Sequence, residues 1–383
     1  MGRPTADSQE NSTALDPMKQ MVPGRSRFSR PSGTMTERLF PWTLGSVIAL
    51  AVAVLLVAEF LHIPYYELSP GPTAPVSELI SVPASHRHTV HGSLLLVTVY
   101  QTPLTTVGYL RAQVSSNVQV YSAAQILGGL PASQLVAQDE AEMAQSQQSA
   151  EVAALRRLGY SVPEHGTGVL VAYVLSHTPA AHALQVGDTI LSIDGKATPT
   201  DNQLVGFLAL DHPGQSVSLS VQNPKEQDRT VSLTLAKRPG SAPGGFLGIE
   251  PLTRDDHFDY PIKISINAAG IGGPSAGLSF TLGIIDALTG GNLTGGHVMA
   301  ATGTIDASGN VGDVGGVAEK TVAVAQAGAT LFLVPPQEYA TARAHSGSHL
   351  KVVAVSTLQQ ALSAIGANGG DLRDIPPSAP VVR

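Results

Sequence analysis

The sequence predicts a mixed α/β (α+β) protein led by one apolar helix, and three observations carry that reading. From residue 245 onward strand-like runs alternate with helical ones. Residues 166–238 hold short apolar runs separated by Gly-Asp and Asp-Gly turns, the texture of a small β module. Residues 42–63 form an apolar stretch long enough for a membrane helix. The 383-residue chain is 43% hydrophobic and 13% charged, material for about two ordinary domains plus extra segments. A net charge of −7 supplies no field that would gather nucleic acid, so a nucleic-acid partner is not expected. Cysteine is absent from the sequence, which excludes disulfides, thiolate catalysis and cysteine metal sites.

Residues 1–38 are rich in Ser, Thr, Pro and Arg without hydrophobic periodicity and read as a disordered cytoplasmic tail. In "PWTLGSVIALAVAVLLVAEFLHIPYY", Leu44 to Ala58 carries no charge, and Trp42 to Ile63 spans a bilayer once Glu59 sits at an interface. Arg25, Arg27, Arg30 and Arg38 precede this stretch, opposed by Glu37, while the first Lys or Arg after it is Arg87. That asymmetry predicts a single-pass anchor in the cytoplasmic membrane, with the N-terminus inside and everything from about Tyr65 outside. A cleaved signal peptide fits less well, because no small-x-small site follows the apolar core.

After the span, "LSPGPTAPV" reads as a turn-rich exit and "GSLLLVTVYQTPLTT" as a strand pair. In "AEMAQSQQSAEVAALRRLGY", Met143, Ala150, Ala153, Ala154 and Leu158 share one helical face, and Gly159 is placed to end the helix. Residues 65–165 thus form an extracytoplasmic strand and helix region expected to pack against the segment 245–366. Within 166–238 come the strand Gly168-Val169-Leu170-Val171, Pro179-Ala180, "LQVGD" from Leu184 to Asp188, the Ile193-Asp194-Gly195 turn and a helix near Asn202 to Leu210. That order of turns resembles a PDZ domain. The resemblance implies peptide binding between a strand and the helix, with the backbone of Gly168, Val169, Leu170 and Val171 as the receiving edge.

The segment 245–366 carries the motif with most chemical content. In "GIGGPSAGLSFTLGIIDALTGG", Gly272, Gly273 and Pro274 cannot lie inside a helix, whereas Leu278, Phe280, Leu282, Ile284, Ile285 and Leu288 are apolar nearly all round a 3.6 period. A buried helix therefore starts at or just after Ser275, whose side chain sits among backbone N–H groups without intrahelical partners. Such a place suits a capping serine or a nucleophile beside an oxyanion site. "HVMAATGTID", "GVAEKTVAVAQAG" and "TLFLVPP" come next as strand, helix and strand, and residues 367–383 read as a second disordered tail. A serine hydroxyl needs a base. Lys320 stands among Val317, Ala318, Val322, Ala323 and Ala325, where burial would penalise its ammonium form and bring its pKa toward neutrality.

"GGPSAG" followed by "ATGTIDASGNVGDVGGVAEKTVAVAQAGATLFLVP" resembles the proteolytic domain of the Lon family. With the span and the PDZ-like module, the resemblance extends from about residue 45 to 365, to membrane-anchored PDZ-containing Lon-like proteases. It implies Ser275 as nucleophile and Lys320 as general base. It also implies Thr302 as partner of the lysine amine, and the backbone around Gly273, Pro274 and Ala276 as the oxyanion site. Protein or peptide substrates and a homo-oligomer are implied as well. The chain has no G-x-x-x-x-G-K-[ST] stretch, since Glu319 stands where a glycine would precede the lysine, so ATP is not expected as a cofactor, nor any other cofactor or metal.

Other readings compete. "HRHTVH" offers His86, His88 and His91 as metal ligands, and "RDDHFDY" offers Asp255, Asp256, His257 and Asp259, but strand-edge histidines and solvated acidic loops account for both more simply. An idle adaptor that captures peptides on a Lon-like platform is a second functional class, against which the two intact motifs argue. A small-molecule kinase is a third, since a glycine-rich turn into a helix also cradles phosphate.

Overall fold

The computed structural model describes residues 35–115, 118–240, 243–268 and 270–377, with side chains from Gly45 onward. The expected tail 1–38 falls almost wholly outside these residues. The chain divides into two compact units, one ending at Ala58 and one covering Glu59–Arg383. In the first, the apolar stretch forms helix α1 (Met35–Phe60), whose described apolar side chains, Val47, Leu55 and Val57 among them, are exposed. Among the described residues no helix is long and apolar enough to cross a membrane.

The second unit is built on a six-stranded mixed sheet to which both ends of the chain contribute. Its strands are β1 (His62–Pro75), β2 (Ser93–Thr105) and β3 (Gln119–Ser122), then β9 (Val298–Ala301), β10 (Leu331–Val334) and β11 (Lys351–Ala354), in the order β11-β10-β9-β2-β1-β3. β1 pairs antiparallel with β2 and β3, whereas β9 pairs parallel with β2 and with β10. The junction therefore joins residues about 200 positions apart, Val298 opposite Ser93. Side chains alternate across it, as a sheet covered on both faces requires. Leu94 and Leu96 enter one core with Phe280, Ile284, Met299 and Leu333; Leu95 and Val97 enter the other with Val317, Val324 and Phe332.

Two expectations for this region need correction. "LSPGPTAPV" is not an exit turn but part of β1, and "GSLLLVTVYQTPLTT" is one long strand, not two. Proline fixes φ in a range that extended backbone tolerates. Its missing N–H is accommodated where the register of β1 against β2 slips, between His62 and Tyr66 and between Pro70 and Thr73. Gly71 permits the close approach there, since a Cβ on it would meet Thr98 at 2.6 Å.

Helix α2 (Ala132–Arg157) packs Met143, Ala150, Val152, Ala153 and Ala154 into the first core and ends before Gly159, which takes φ 86°. The chain then leaves to build a second sheet of β4 (Val169–Val174), β5 (Thr189–Ile193), β6 (Ser216–Gln222), β7 (Asp228–Thr234) and β8 (Ile249–Thr253), ordered β7-β6-β5-β4-β8 and closed by α3 (Asp201–Leu210). Val169, Val171, Ile190, Leu204, Leu208 and Leu219 form its own core. β8 lies beyond residue 238, where the turn pattern of the sequence ends this module. After it come α4 (Gly277–Leu288), buried along its length, α5 (Val317–Gln326), α6 (Tyr339–His345) and α7 (Leu358–Gly366). The β module is thus an insertion between α2 and α4 of the larger domain.

The C-terminal stretch also departs from expectation. Residues 367–377 are packed: Leu372 lies against the first core, the Asp371 N–H donates to the Leu293 carbonyl at 3.2 Å, and Arg157 donates to the Pro376 carbonyl at 2.7 Å. The rest of that segment lies outside the described residues.

Candidate active site

Ser275 is presented by a sharp turn that leads into α4. Gly273 adopts φ 81°, ψ 156°, open to glycine alone at low cost, and Pro274 starts a 3-10 turn, Pro274–Ala276, that runs directly into α4. The helix starts where the apolar periodicity places it. Neighbouring strands hold the turn: Gly303 N–H donates to the Ser275 carbonyl at 3.0 Å, and Leu278 N–H donates to the Gly303 carbonyl at 3.1 Å. The Ser275 hydroxyl is half-buried and makes no hydrogen bond among the described residues.

Lys320 comes from the second turn of α5, on the other face of the sheet's rim. It is 3% exposed, and its amine donates to Thr302 Oγ1 at 3.4 Å. Thr302 Oγ1 in turn donates to the Ser275 carbonyl at 3.2 Å, so its lone pairs are left to receive the lysine. Burial lowers the Lys320 pKa to about 8, against a smaller opposing pull from the Glu338 carboxylate. Ser275 and Lys320 line one cavity of about 250 Å³, whose other walls are mostly apolar, with Ala74, Leu96, Val97 and Ile271 beside Thr98 and Tyr100. No direct Ser275–Lys320 hydrogen bond is formed among the described residues. The arrangement brings a hydroxyl and an amine near its deprotonation point to one partly apolar space, the requirement for base-activated attack on a carbonyl.

The oxyanion expectation is narrower than the sequence suggested. Gly273 N–H donates to the Asp139 carbonyl of α2 at 3.0 Å, and Pro274 has no N–H, so neither is a free donor in this arrangement. Ser275 and Ala276 amides remain at the turn's start.

The peptide-binding expectation is corrected as well. Gly168, Val169, Leu170 and Val171 belong to β4 and its entry, and both edges of β4 are taken, by β5 on one side and β8 on the other. Val169 and Val171 are fully buried, and the Gly168 N–H donates to the Pro199 carbonyl. Among the described residues the outer strands of this sheet are β7 and β8, and it is β8 that lies beside α3. A cavity of about 280 Å³ lies between β8 and α3, lined by Leu204, Val205, Leu208, Phe246 and Ile249, with Arg238 at its margin. The signal for it was "GGFLGIEPLT", a glycine-rich loop leading into a short strand just past the module's expected end. The sequence carries no local mark of Ser146, whose hydroxyl donates to the Pro274 carbonyl, nor of the apolar residues of β1 and β2 around the cavity that Ser275 and Lys320 line. Among the described residues no cluster of His, Asp or Glu is arranged to hold a metal, at "HRHTVH", "RDDHFDY" or elsewhere.

Comparison with known proteins matches two stretches of the chain to known domain families. Residues 156–235 match the family described as PDZ domain, and residues 250–365 match that described as Lon protease (S16) C-terminal proteolytic domain. The chain thus carries one region that matches a PDZ domain and one that matches the proteolytic domain of S16 proteases. Lon protease of Phenylobacterium zucineum (strain HLK1) is 31% identical over 217 residues, covering 56% of this chain and 24% of that protein. Lon protease 2 of Bacillus subtilis (strain 168) is 32% identical over 123 residues, 32% of this chain and 21% of that protein. The chain therefore spans less than a quarter of the length of these relatives. A solved PDZ domain of an SdrC-like protein from Listeria monocytogenes is 24% identical, covering 22% of this chain and 87% of that one, with a TM-score of 0.21.

Proposed function

We propose that the protein is a membrane-anchored serine endopeptidase that acts without ATP, uses Ser275 and Lys320 as a dyad, and recruits peptide segments through the groove between α3 and β8. The observation that carries this reading is the buried Lys320 amine, held on Thr302 and sharing one cavity with the Ser275 hydroxyl. In the neutral form Lys320 takes the hydroxyl proton as Ser275 attacks the scissile carbonyl; the same proton then goes to the leaving amine. Thr302 keeps the amine in place, and the Ser275 and Ala276 amides face the developing oxyanion. The apolar walls of the cavity favour an apolar side chain beside the scissile bond.

The exposed apolar face of α1 and the arginines before it support a single-pass anchor, with the N-terminus cytoplasmic and both domains outside. The lack of a G-x-x-x-x-G-K-[ST] stretch in the chain supports ATP independence. The test is cleavage of an unfolded protein such as casein in nucleotide-free buffer by wild type, Ser275→Ala and Lys320→Ala. Cleavage by wild type alone is expected. A nucleotide requirement would remove the ATP-independent part, and cleavage by either variant would remove the dyad.

A further inference from the structure

The geometry points to Ser146 of α2 as a positioning residue for the nucleophile turn, an inference that rests on the Ser275–Lys320 reading. Ser146 lies outside the residues matched to the proteolytic domain and before the inserted module, yet its hydroxyl donates to the Pro274 carbonyl at 2.9 Å across 128 residues of sequence. A serine in mid-helix ordinarily folds its hydroxyl back onto the preceding turn of its own helix and gains nothing in helix propensity. Here it is 4% exposed and reaches out of the helix to one particular carbonyl.

That carbonyl sets the direction of the peptide plane entering Ser275. Across a trans peptide the carbonyl and the N–H point opposite ways. Fixing the Pro274 oxygen toward α2 therefore aims the Ser275 N–H to the opposite side of the turn, as a donor for the oxyanion. Pro274 oxygen also accepts the Gly277 N–H at the junction with α4. The plane leaving Ser275 is pinned separately, by Gly303 N–H and Thr302 Oγ1 on the Ser275 carbonyl. Among the described residues, Ser146 is thus the one side chain that holds the entering plane, as Thr302 is the one that holds the leaving plane. The packing is close as well, since a Cβ on Gly277 would stand 2.9 Å from Ser146 Oγ.

The experiment compares Ser146→Ala and Ser146→Cys with wild type on a fluorogenic peptide, with kcat expressed per active site titrated by a serine-directed phosphonate. Loss of the donor should lower kcat per site at least about tenfold with KM within about twofold, because a small misplacement of reacting groups acts on the chemical step. Cysteine fills nearly the same space but donates weakly, so it should remain low with alanine. Cysteine turning over at the wild-type rate would show that Ser146 only fills space, and would overturn the inference. Should both variants fail to fold, a structure of the wild-type enzyme with a peptide boronate on Ser275 decides. The Ser146–Pro274 bond intact and a boronate oxygen on the Ser275 N–H is the expected result; a flipped peptide with that bond broken overturns it. Ser275→Ala and Lys320→Ala run in parallel. If they are dead while both Ser146 variants match wild type, this inference alone fails; cleavage surviving in either dyad variant removes the dyad reading together with it.

Discussion

A buried amine that must be neutral to act leaves two separate traces, one in rate and one in stability. With its pKa at about 8, Lys320 is mostly an ammonium at pH 7, so turnover should climb through pH 8 and level off above it in single-turnover measurements. Lys320→Arg should be as inactive as Lys320→Ala, because a guanidinium stays protonated throughout that range. For stability the sign runs the same way. The folded value lies below that of an unfolded lysine, so the unfolded chain binds more protons between about pH 8 and 10, and stability rises with pH across that window. Lys320→Met should abolish this rise and, near pH 7, stabilise the protein by about 3 kcal/mol at 1.4 kcal/mol per pKa unit, visible as a higher Tm. Asp286, near the end of α4, makes the opposite trace. Burial raises its pKa to about 6, only partly offset by the Leu293 N–H and by His91. Its folded value exceeds its unfolded one, so the stability it lends is full below about pH 4 and lost as pH rises through about 6. Asp286→Asn keeps an acceptor for the Leu293 N–H, 2.8 Å away, and should flatten that decline in pH-dependent melting.

Among the elements, β8 and α3 make the most direct demand. A peptide that adds to the free edge of β8 lays its side chains against Val205, which is 40% exposed on α3, so Val205→Glu should weaken peptide binding by an order of magnitude or more in a fluorescence titration without unfolding the module. Unchanged affinity would move the binding site elsewhere. Legibility in the sequence also divides by element. α4 and α5 were legible because their apolar residues and glycine or proline boundaries are local signals, and two motifs of fixed order singled out Ser275 and Lys320, which line one cavity. The identity of the open PDZ edge was not, since which side of β4 is covered depends on a strand 75 or more residues further along. Nor was β1, whose stretch Pro70, Pro72 and Pro75 reads as turns although the sheet takes Pro70 and Pro72 at a register slip and Pro75 at the strand's end. Ser146 is the same problem at a finer grain: a hydrogen bond spanning 128 residues has no local signature.

For the whole molecule, the sheet makes the proteolytic domain inseparable from the segment before the PDZ module. Leu94, Leu96, Met143 and Val152 share a core with Phe280, Ile284 and Leu333, so a fragment beginning at residue 245 lacks half its sheet and about a third of that core. It should fail to give a cooperative melting transition, whereas a fragment beginning at residue 61 should melt as a compact protein. The proposed topology is tested in whole cells by a reporter fused after Arg383, expected to be active outside the cytoplasmic membrane. Activity inside would sink it.

The pairing of β2 with β9 also sets the order of events as the chain is made. At a synthesis rate of about 5–20 residues per second, Ser93 emerges at least about ten seconds before its partner Val298, and the inserted PDZ module is complete in between. A finished, folded module therefore hangs between two unfinished halves of a larger one, while the hairpin of β1 and β2 waits with an open edge. Ser275 emerges before β9 exists to brace Thr302, and Lys320 later still. On the proposed dyad the nascent chain therefore cannot cut itself or its neighbours at once: Ser275 is made before the strand that leads to Thr302 and before the amine of Lys320, and hydrolytic power arises only after both have followed it.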